Sequence, residues 1–326
     1  MTRFTHCTLI SVLCLLSACN KAPNKVETEK MPPSPLGDLK SCQQYSGLPG
    51  GWLKQPQAGM QYIQGGTFHI GNNQSYPEEK ALYQRERKVS DFWMDRTEVS
   101  QAQFQSFVQA TGYVTEAERQ GEAAVFQPPQ HPVAELAWWS LVKGANWKQP
   151  WGPHSSQKTQ PNEPVRMITL KDAIAYADWL GRELPTEEQW EYAAKANIEA
   201  DTAPNSAHVN ANVWQGEFPY HNEKQDHFLE VAPVGCFTAN HFGLYDMIGN
   251  VWEYTNSPFT GTHDDHMGVQ QISNHHAFTQ YTIKGGSFLC ASNYCMRYRA
   301  SARHPKESNL AISHVGFRTI QKVTTK

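Results

Sequence analysis

The sequence predicts an α+β fold: a single loop-rich domain with little regular secondary structure. Only 18% of its 326 residues are charged, whereas it contains 22 glycines, 20 prolines and 10 tryptophans. This composition is typical of a globular chain rich in turns, and it argues against a helical bundle or a disordered chain. The chain is long enough to bury a substantial core. Its net charge of −3 and pI near 6.5 give no reason to expect nucleic acid as a partner.

Short strands and one helix are predicted from local patterns. Residues 59–68 predict a strand, a Gly-Gly turn and a second strand. Residues 97–108 have apolar side chains near helical spacing. Those apolar positions are Val99, Phe104, Phe107 and Val108. The clearest late strands are predicted over residues 281–287 and 296–303, and turns and short strands make up most of the rest.

Two further helices have signals at their ends. One is predicted over residues 170–180 and ends at Gly181, because glycine readily adopts the left-handed conformation that follows a helix. The next begins after Thr186, which caps the helix, while Gln189 can reach back to the Thr186 backbone N–H in a capping box. That helix is predicted to run to about Ala196.

The N-terminus has the pattern of an export signal. Arg3 supplies a positive charge, and residues 7–16 form an apolar stretch too short to span a bilayer as a mature helix. Small residues then precede Cys19, which resembles a bacterial lipobox. We therefore expect a lipoprotein signal peptide over residues 1–18 and a lipid-anchored protein on the periplasmic side of a bacterial membrane, inner or outer. An ordinary cleaved signal with an incidental Cys19 is the alternative.

A flexible tether is predicted to follow the lipidated Cys19, over residues 19–58, because this stretch is rich in Lys, Glu and Pro. The domain itself is predicted over residues 59–321. Export places the remaining cysteines in an oxidising compartment, where disulfides are the default. Cys42 and Cys236 are expected to form a disulfide, and two free thiols are the alternative.

Eight groups of motifs lie in one order along the domain. They are GGTF (65–68); DRTEVS (95–100); TGYVTEAE (111–118); WW (138–139) with VKGANW (142–147); LPTE (184–187) with EYAA (191–194); NVWQGEFP (212–219); GNVWE (249–253); and GGSFLC (285–290) through GFR (316–318). Together they resemble the formylglycine-generating enzyme (sulfatase-modifying factor) family. The resemblance covers nearly all of the domain and implies a fold related to the C-type-lectin-like folds.

The resemblance also implies an activity. Members include non-oxidases, but residues 290–299 (CASNYCMRYR) resemble the active site of the oxidases. A copper-dependent oxidase of this kind converts a cysteine in a Cys-x-Pro-x-Arg motif of an unfolded sulfatase to Cα-formylglycine, using O2 and a thiol reductant. Cys290 and Cys295 would bind Cu(I), which prefers thiolates, with the substrate cysteine as third ligand. Ser287 matches a serine implied to assist catalysis.

Several alternatives remain open for these residues. Cys290 and Cys295 could instead form a structural disulfide, and Ser287 could be a turn residue. Arg297 and Arg299 alternate along a predicted strand and so share one face, which suits either substrate contact or structural ion pairs. For the whole chain, the alternatives are a non-catalytic lipoprotein scaffold with this fold and a maturation enzyme for another periplasmic product.

The resemblance implies two structural calcium sites as well. Hard Ca²⁺ prefers a mixture of carboxylate, amide and backbone carbonyl oxygens. The ligands implied for the first site are Asn212, Val213, Asp226 and Phe228, and those for the second are Asp246, Gly249, Val251 and Glu253. Turn and capping roles are the alternative for the Asn and Asp residues.

The chain departs from familiar members of the family at a few positions. Ala300 stands where animal enzymes have a structural cysteine, and Ala291 and His314 differ near the expected peptide groove. A His-rich segment, residues 263–276, could bind a metal, but a solvated loop is the favoured interpretation.

Overall fold

The computed structural model describes residues 1, 36–73, 75–83, 86–196, 210–261 and 279–323. The predicted signal peptide, Cys19 and the His-rich segment lie outside these residues. The described residues from 36 to 323 belong to one structural unit. None of the helices in the described part of the chain has the length and apolar character needed to cross a bilayer.

Short elements separated by long turns make up the fold, as the composition predicts. The helices are α1 (Leu39–Gln44), α2 (Pro77–Tyr83), α3 (Gln101–Thr111), α4 (Glu116–Gln120), α5 (Leu170–Trp179) and α6 (Glu187–Lys195). The strands are β1 (Met60–Ile63), β2 (Gly66–His69), β3 (Glu86–Val89), β4 (Phe92–Asp95), β5 (Glu122–Phe126), β6 (Trp139–Lys143), β7 (Trp252–Pro258), β8 (Gln280–Lys284), β9 (Arg303–Glu307), β10 (Val315–Gly316) and β11 (Ile320–Lys322).

Within the described residues the strands form four small sheets, and the two larger sheets join strands that are distant in sequence. One has the order β1-β4-β11 and is antiparallel, and another has the order β10-β7-β8-β9, in which β10 runs parallel to β7. The pairs β2-β3 and β5-β6 form two-stranded sheets. The strands on either side of the Gly-Gly turn, β1 and β2, therefore pair with different partners. Strand β8 lies in the centre of its sheet and leads directly into the segment that carries Cys290.

Most predicted elements are present. Helix α5 is followed by Gly181 in the left-handed region, with a φ of 65°. Helix α6 has the predicted capping box between Thr186 and Gln189. Helix α3 begins later than predicted, because Ser100 is its N-cap. The strand predicted over residues 296–303 is wrong: this stretch is irregular, and the strand there, β9, begins at Arg303.

An aromatic core packs the helices against the sheets. Phe104 on α3 contacts Trp147, Tyr176 and Phe317, with ring centroids 5.1, 5.9 and 6.5 Å apart. Rings at such distances contribute more than their buried area alone. The same core cluster extends to Cys290, so the candidate site is part of the interior of the domain.

The tether prediction differs from the structure at its C-terminal end. Residues 36–58 include helix α1 and pack on the domain, and Cys42 is fully buried. Cys42 and Cys236 form the expected disulfide, with Cα atoms 4.9 Å apart. Arg182 also donates to the Pro56 carbonyl at 2.8 Å. The Lys, Glu and Pro content of this stretch suggested a tether. Contacts between distant residues, such as the one between Arg182 and Pro56, leave no periodic pattern in the sequence and so could not be predicted from it.

Candidate active site

Two free cysteines lie at the ends of a tight loop after strand β8. Cys290 is buried and Cys295 is partly exposed, and their sulfur atoms are 3.1 Å apart. Ala291 and Tyr294 exchange two backbone hydrogen bonds, 2.7 and 3.2 Å long, which close the loop. Sulfur atoms in a disulfide are about 2.05 Å apart. The structure therefore brings the two thiols together without a bond between them.

The two thiols differ in acidity. A hydrogen bond from Cys290 and the nearby Arg297 guanidinium lower the pKa of Cys295. Burial raises the pKa of Cys290. Cys295 is therefore the member of the pair that more readily becomes a thiolate, which is the nucleophilic and metal-binding form of cysteine.

A narrow cavity opens beside the two sulfur atoms. Its lining residues are Trp139, Phe218, Trp252, Ser287, Leu289, Cys290, Tyr294, Cys295 and His314. The rings of Phe218 and Tyr294 are stacked, with centroids 4.3 Å apart and planes 3° apart. Trp138 packs edge-on against both rings. This aromatic cluster fixes the cysteine loop through Tyr294 and makes one wall of the cavity largely apolar.

Ser287 lies in the same cavity, so the structure brings together all three residues of the predicted catalytic set. Its Oγ accepts a hydrogen bond from the Leu289 N–H and lies 3.3 Å from Nδ1 of His314. His314 was not among the predicted site residues. Its departure from the residue usual in the resembling family was the signal that could have identified it.

Arg297 and Arg299 are structural partners in this protein. Arg297 donates to the Glu78 carboxylate at 2.9 Å, and Arg299 is paired with Glu79. Both guanidinium groups also lie over the ring of Tyr76, at 4.2 and 5.3 Å. The two arginines do face the same surface, although the backbone between them is not a strand, and the structure favours ion pairs over substrate contact.

The residues predicted for the first calcium site meet in one loop cluster. The Asp226 carboxylate accepts hydrogen bonds from the backbone of Val213 (3.2 Å) and Phe228 (2.9 Å) and from the Gln215 side chain (2.9 Å). These three bonds use most of the roughly four lone-pair directions of a carboxylate. Asn212 donates to the Asn250 amide oxygen, which links this cluster to the second site. Asp226 keeps about one lone-pair direction with which it could bind a cation, and a capping role by itself also accounts for its hydrogen bonds.

The second cluster contains an acidic residue that the sequence analysis missed. Glu98 and Asp246 are buried side by side, and Glu98 Oε2 and Asp246 Oδ1 have no hydrogen-bond partner among the described residues. Burial raises the pKa of Glu98, and the charge of Asp246 adds to this effect. Burial also raises the pKa of Asp246 to about 6. A side-chain hydrogen bond with Glu98 lowers the Asp246 pKa, so the two carboxyls can share a proton, and a cation between them would offset the same buried charge.

The Glu253 carboxylate, predicted as a ligand of the second site, has other partners. Arg318 binds both of its oxygens at 2.7 Å, and the Trp190 indole N–H donates to one of them at 2.7 Å. Gly249 lies close to the first cluster: a Cβ at this position would be 2.3 Å from the Asn212 carbonyl oxygen, and its φ is 80°. Glu98 therefore joins Asp246 as a carboxylate of this cluster, and the calcium-ligand role of Glu253 stays a prediction.

The predicted copper ligands form a donor pair of two sulfurs. Within the described residues, no group of three or more His, Cys, Asp or Glu side chains is arranged to hold a metal ion. Cys290 and Cys295 nevertheless suit a soft monovalent ion, because Cu(I) prefers thiolate ligands. Two thiolates are enough for an ion that is bound with a low coordination number. Cys295 is only partly buried, so a third sulfur could approach from the cavity.

Comparison with known proteins places the whole domain in one family. The model of the sulfatase-modifying factor enzyme 1-like domain matches residues 46–323. A formylglycine-generating enzyme of Thermomonospora curvata is 40% identical over 288 residues, which cover 80% of this chain and 92% of that protein. A mouse protein named inactive Cα-formylglycine-generating enzyme 2 is 33% identical over 298 residues, covering 85% and 95%.

Solved structures bear out the predicted fold. PvdO from Pseudomonas aeruginosa superposes with a TM-score of 0.56 at 18% sequence identity, covering 82% of this chain and 95% of PvdO. At this identity the likeness concerns the fold alone. The similar proteins include one named inactive. Sequence similarity alone therefore does not decide whether this chain is active, and the arrangement of its site residues has to be considered.

Proposed function

This chain belongs to the formylglycine-generating enzyme (sulfatase-modifying factor) family, and we propose that it is an active member with Cys290 and Cys295 as its reaction centre. Its homologues carry the name of an enzyme that generates formylglycine. The activity assigned here is the conversion of a cysteine in a sulfatase to Cα-formylglycine.

One observation carries the proposal of activity. Two unbonded thiols lie 3.1 Å apart beside a cavity that also contains Ser287. A scaffold would gain stability from a disulfide at this position, as the same chain does at Cys42 and Cys236. Two sulfur atoms at this distance, beside an open cavity, suit a reaction that uses thiolates.

The chemistry requires an oxidant and a reductant. The balanced change is R–CH₂SH + O₂ + 2 e⁻ + 2 H⁺ → R–CHO + H₂S + H₂O. The substrate and the reductant together reduce dioxygen, and the reductant supplies two electrons. A thiol can do so by forming a disulfide. When bound to the two cysteines, copper would supply the one-electron chemistry that dioxygen needs.

The residues around the cysteines have separate tasks in this proposal. Cys290 and Cys295 hold the metal, and Arg297 offsets the negative charge of the thiolate it faces. The rings of Phe218 and Tyr294 keep water away from the sulfur atoms, which strengthens electrostatic interactions in the cavity. Ser287 supplies the hydroxyl group of the cavity next to Cys290.

The proposed substrate is an unfolded segment of a sulfatase or sulfatase-like protein with a Cys-x-Pro-x-Arg motif. An extended segment can reach a buried sulfur pair, because its cysteine can project into the cavity while its backbone stays outside.

Peptide oxidation tests the proposed function. Purified protein is incubated with a Cys-x-Pro-x-Arg peptide, Cu(I), a thiol and oxygen, and the product is identified by mass spectrometry and by trapping the aldehyde with a hydrazine. The matched control peptide carries serine in place of cysteine. An unchanged cysteine peptide, with correctly folded and copper-loaded protein, would exclude this activity and favour the scaffold alternative.

The location of the enzyme is a separate proposal. The lipobox-like residues before Cys19 support a lipid anchor on the periplasmic side of a bacterial membrane. Cys19→Ala is expected to move the protein from the membrane fraction to the soluble fraction or to block its processing. Membrane association that is unchanged in this variant would contradict the anchor.

A further inference from the structure

A serine and a histidine form a buried pair in the cavity that holds the two cysteines. Ser287 is fully buried and His314 is 5% exposed. The Ser287 Oγ and the His314 Nδ1 are 3.3 Å apart. The imidazole ring packs edge-on against Trp139, with centroids 4.9 Å apart, and the His314 carbonyl accepts from the Trp252 N–H at 2.9 Å. Backbone and ring contacts therefore fix the direction in which Nδ1 points.

The hydrogen bonds around Ser287 favour one position for the proton shared with His314. A hydroxyl has one hydrogen to donate and two lone pairs to accept with. The Leu289 N–H already donates to the Ser287 oxygen at 3.3 Å. Among the described residues, His314 Nδ1 is the one remaining hydrogen-bond partner of this hydroxyl. A buried hydroxyl proton without an acceptor is unfavourable, which favours the arrangement in which Ser287 donates to Nδ1 over the reverse one.

The surroundings of His314 keep its ring neutral. Burial, together with the nearby Lys306 ammonium, lowers the pKa of His314 to about 3. A neutral imidazole has one protonated nitrogen. An Nδ1 that accepts from Ser287 places that proton on Nε2.

We propose that His314 is a positioning residue that holds the Ser287 hydroxyl proton away from the sulfur atoms and turns an oxygen lone pair toward them. Ser287 then accepts a hydrogen bond from the thiol of the substrate cysteine as it enters the cavity. The inference rests on the proposed function for the identity of that thiol. The contact between Ser287 Oγ and His314 Nδ1 at 3.3 Å does not depend on that function.

Nitrogen NMR of the histidine side chains tests this direction without any turnover. In protein labelled with ¹⁵N histidine, the His314 signals are assigned by their loss in His314→Asn. We expect the neutral tautomer protonated at Nε2 near neutral pH, with an Nδ1 resonance that moves in Ser287→Ala because the hydrogen bond is lost. A proton on Nδ1, a charged imidazolium at neutral pH or no response to Ser287→Ala would each overturn the inference.

Two replacements of His314 separate positioning from packing. His314→Asn places an amide oxygen where Nδ1 lies and can still accept from Ser287, whereas His314→Leu cannot. We expect His314→Leu to lower kcat about tenfold, the effect of losing one hydrogen bond, with little change in KM for the peptide. His314→Asn should restore most of that loss. Equal losses in the two variants, with equal melting temperatures, would contradict the inference.

A double-mutant cycle shows whether His314 acts through Ser287. In a Ser287→Ala background, His314→Leu should cause no further loss of kcat. A full additional loss would show that the histidine acts independently of the serine. If the parent enzyme does not oxidise the peptide at all, the proposed function fails, and the NMR result still decides the state of His314.

Discussion

At the scale of single residues, charged groups around the site are buried but paired. Glu253 binds Arg318 through both oxygens, and Glu191 accepts from Lys284 at 2.8 Å with both side chains fully buried. Removing one member of such a pair leaves an uncompensated charge in the interior. Mutation of either member of a buried pair is therefore expected to destabilise the loops that the pair connects.

Arg299→Met tests this sensitivity beside the cysteine loop. Arg299 pairs with the buried Glu79, whose other oxygen accepts from Ser301 at 2.6 Å. The substitution leaves the Glu79 carboxyl buried without its main counter-charge, so we expect unfolding to become easier by about 3–5 kcal/mol in urea titrations. The control is Lys322→Met at the exposed pair with Glu183, which should change stability by less than about 1 kcal/mol. Similar effects of both substitutions would contradict this expectation.

Cys290→Ser and Cys295→Ser test the thiolate pair. A hydroxyl is a poor ligand for a soft ion, so each variant is expected to lose most of its Cu(I) affinity and to fall below detectable peptide oxidation. Competition with a Cu(I) chelator measures the affinity. The control is a count of free thiols in the unfolded protein, in which Cys42 and Cys236 should remain bonded to each other in every variant. Near-normal turnover in either variant would exclude a two-thiolate copper centre.

At the scale of secondary-structure elements, capping residues define the helices and connect them to distant segments. Four of the helices have capping boxes, at Ser100, Thr115, Thr169 and Thr186. Ser100 also donates through its hydroxyl to the Gly47 carbonyl at 2.5 Å. The start of α3 is therefore connected to the N-terminal segment, residues 36–58.

Truncation tests whether this segment belongs to the domain. A chain that begins at residue 36 should melt like the parent. One that begins at residue 59 should melt at a lower temperature, because it loses the Cys42–Cys236 disulfide and the carbonyl partners of Arg182. Loss of a native disulfide alone reduces stability by about 2–5 kcal/mol in small secreted domains. Identical melting temperatures of the two chains would mean that residues 36–58 belong to the tether and not to the domain.

At the scale of the whole molecule, few residues lie in regular elements, and long loops must be held by contacts across the chain. The disulfide joins residues 194 positions apart. Asn250 connects several loops: its amide bonds to Asn212, to Glu98 and to the backbone of Ala232. Bound cations at the two acidic clusters would add further cross-links of this kind.

Calcium is expected to stabilise the enzyme and not to catalyse its reaction. An ion that binds only the folded state adds RT ln(1 + [L]/Kd), about 2.7 kcal/mol at a hundredfold excess over Kd. Calcium should raise the melting temperature. Asp226→Asn and Glu98→Gln should each lose part of that rise, because each removes one carboxylate while keeping a similar shape.

Copper affinity provides the control for the calcium experiment. Thermal melts with calcium or EGTA run beside a Cu(I) competition titration, in which folded Asp226→Asn and Glu98→Gln should match the parent. If the melting temperature of the parent does not respond to calcium, neither cluster is a calcium site. Copper affinity that follows calcium would show that the clusters act on the cysteine loop.

Sequence by itself determined the features that depend on near neighbours. The capping box of Thr186 and Gln189 joins positions three apart, and the end of α5 needs only the backbone freedom of Gly181. Cys290 and Cys295 are five positions apart, so one tight loop suffices to bring them together. Motif order along the chain was enough to identify the family and its fold.

Tertiary structure alone decided the pairings between distant parts of the chain. It brings Glu98 to Asp246 and His314 to Ser287, and it pairs Glu253 with Arg318. These choices depend on which buried charges and hydrogen-bond groups find partners once the loops pack. Periodicity and spacing in the sequence depend on local geometry, so they do not predict which distant residues pair.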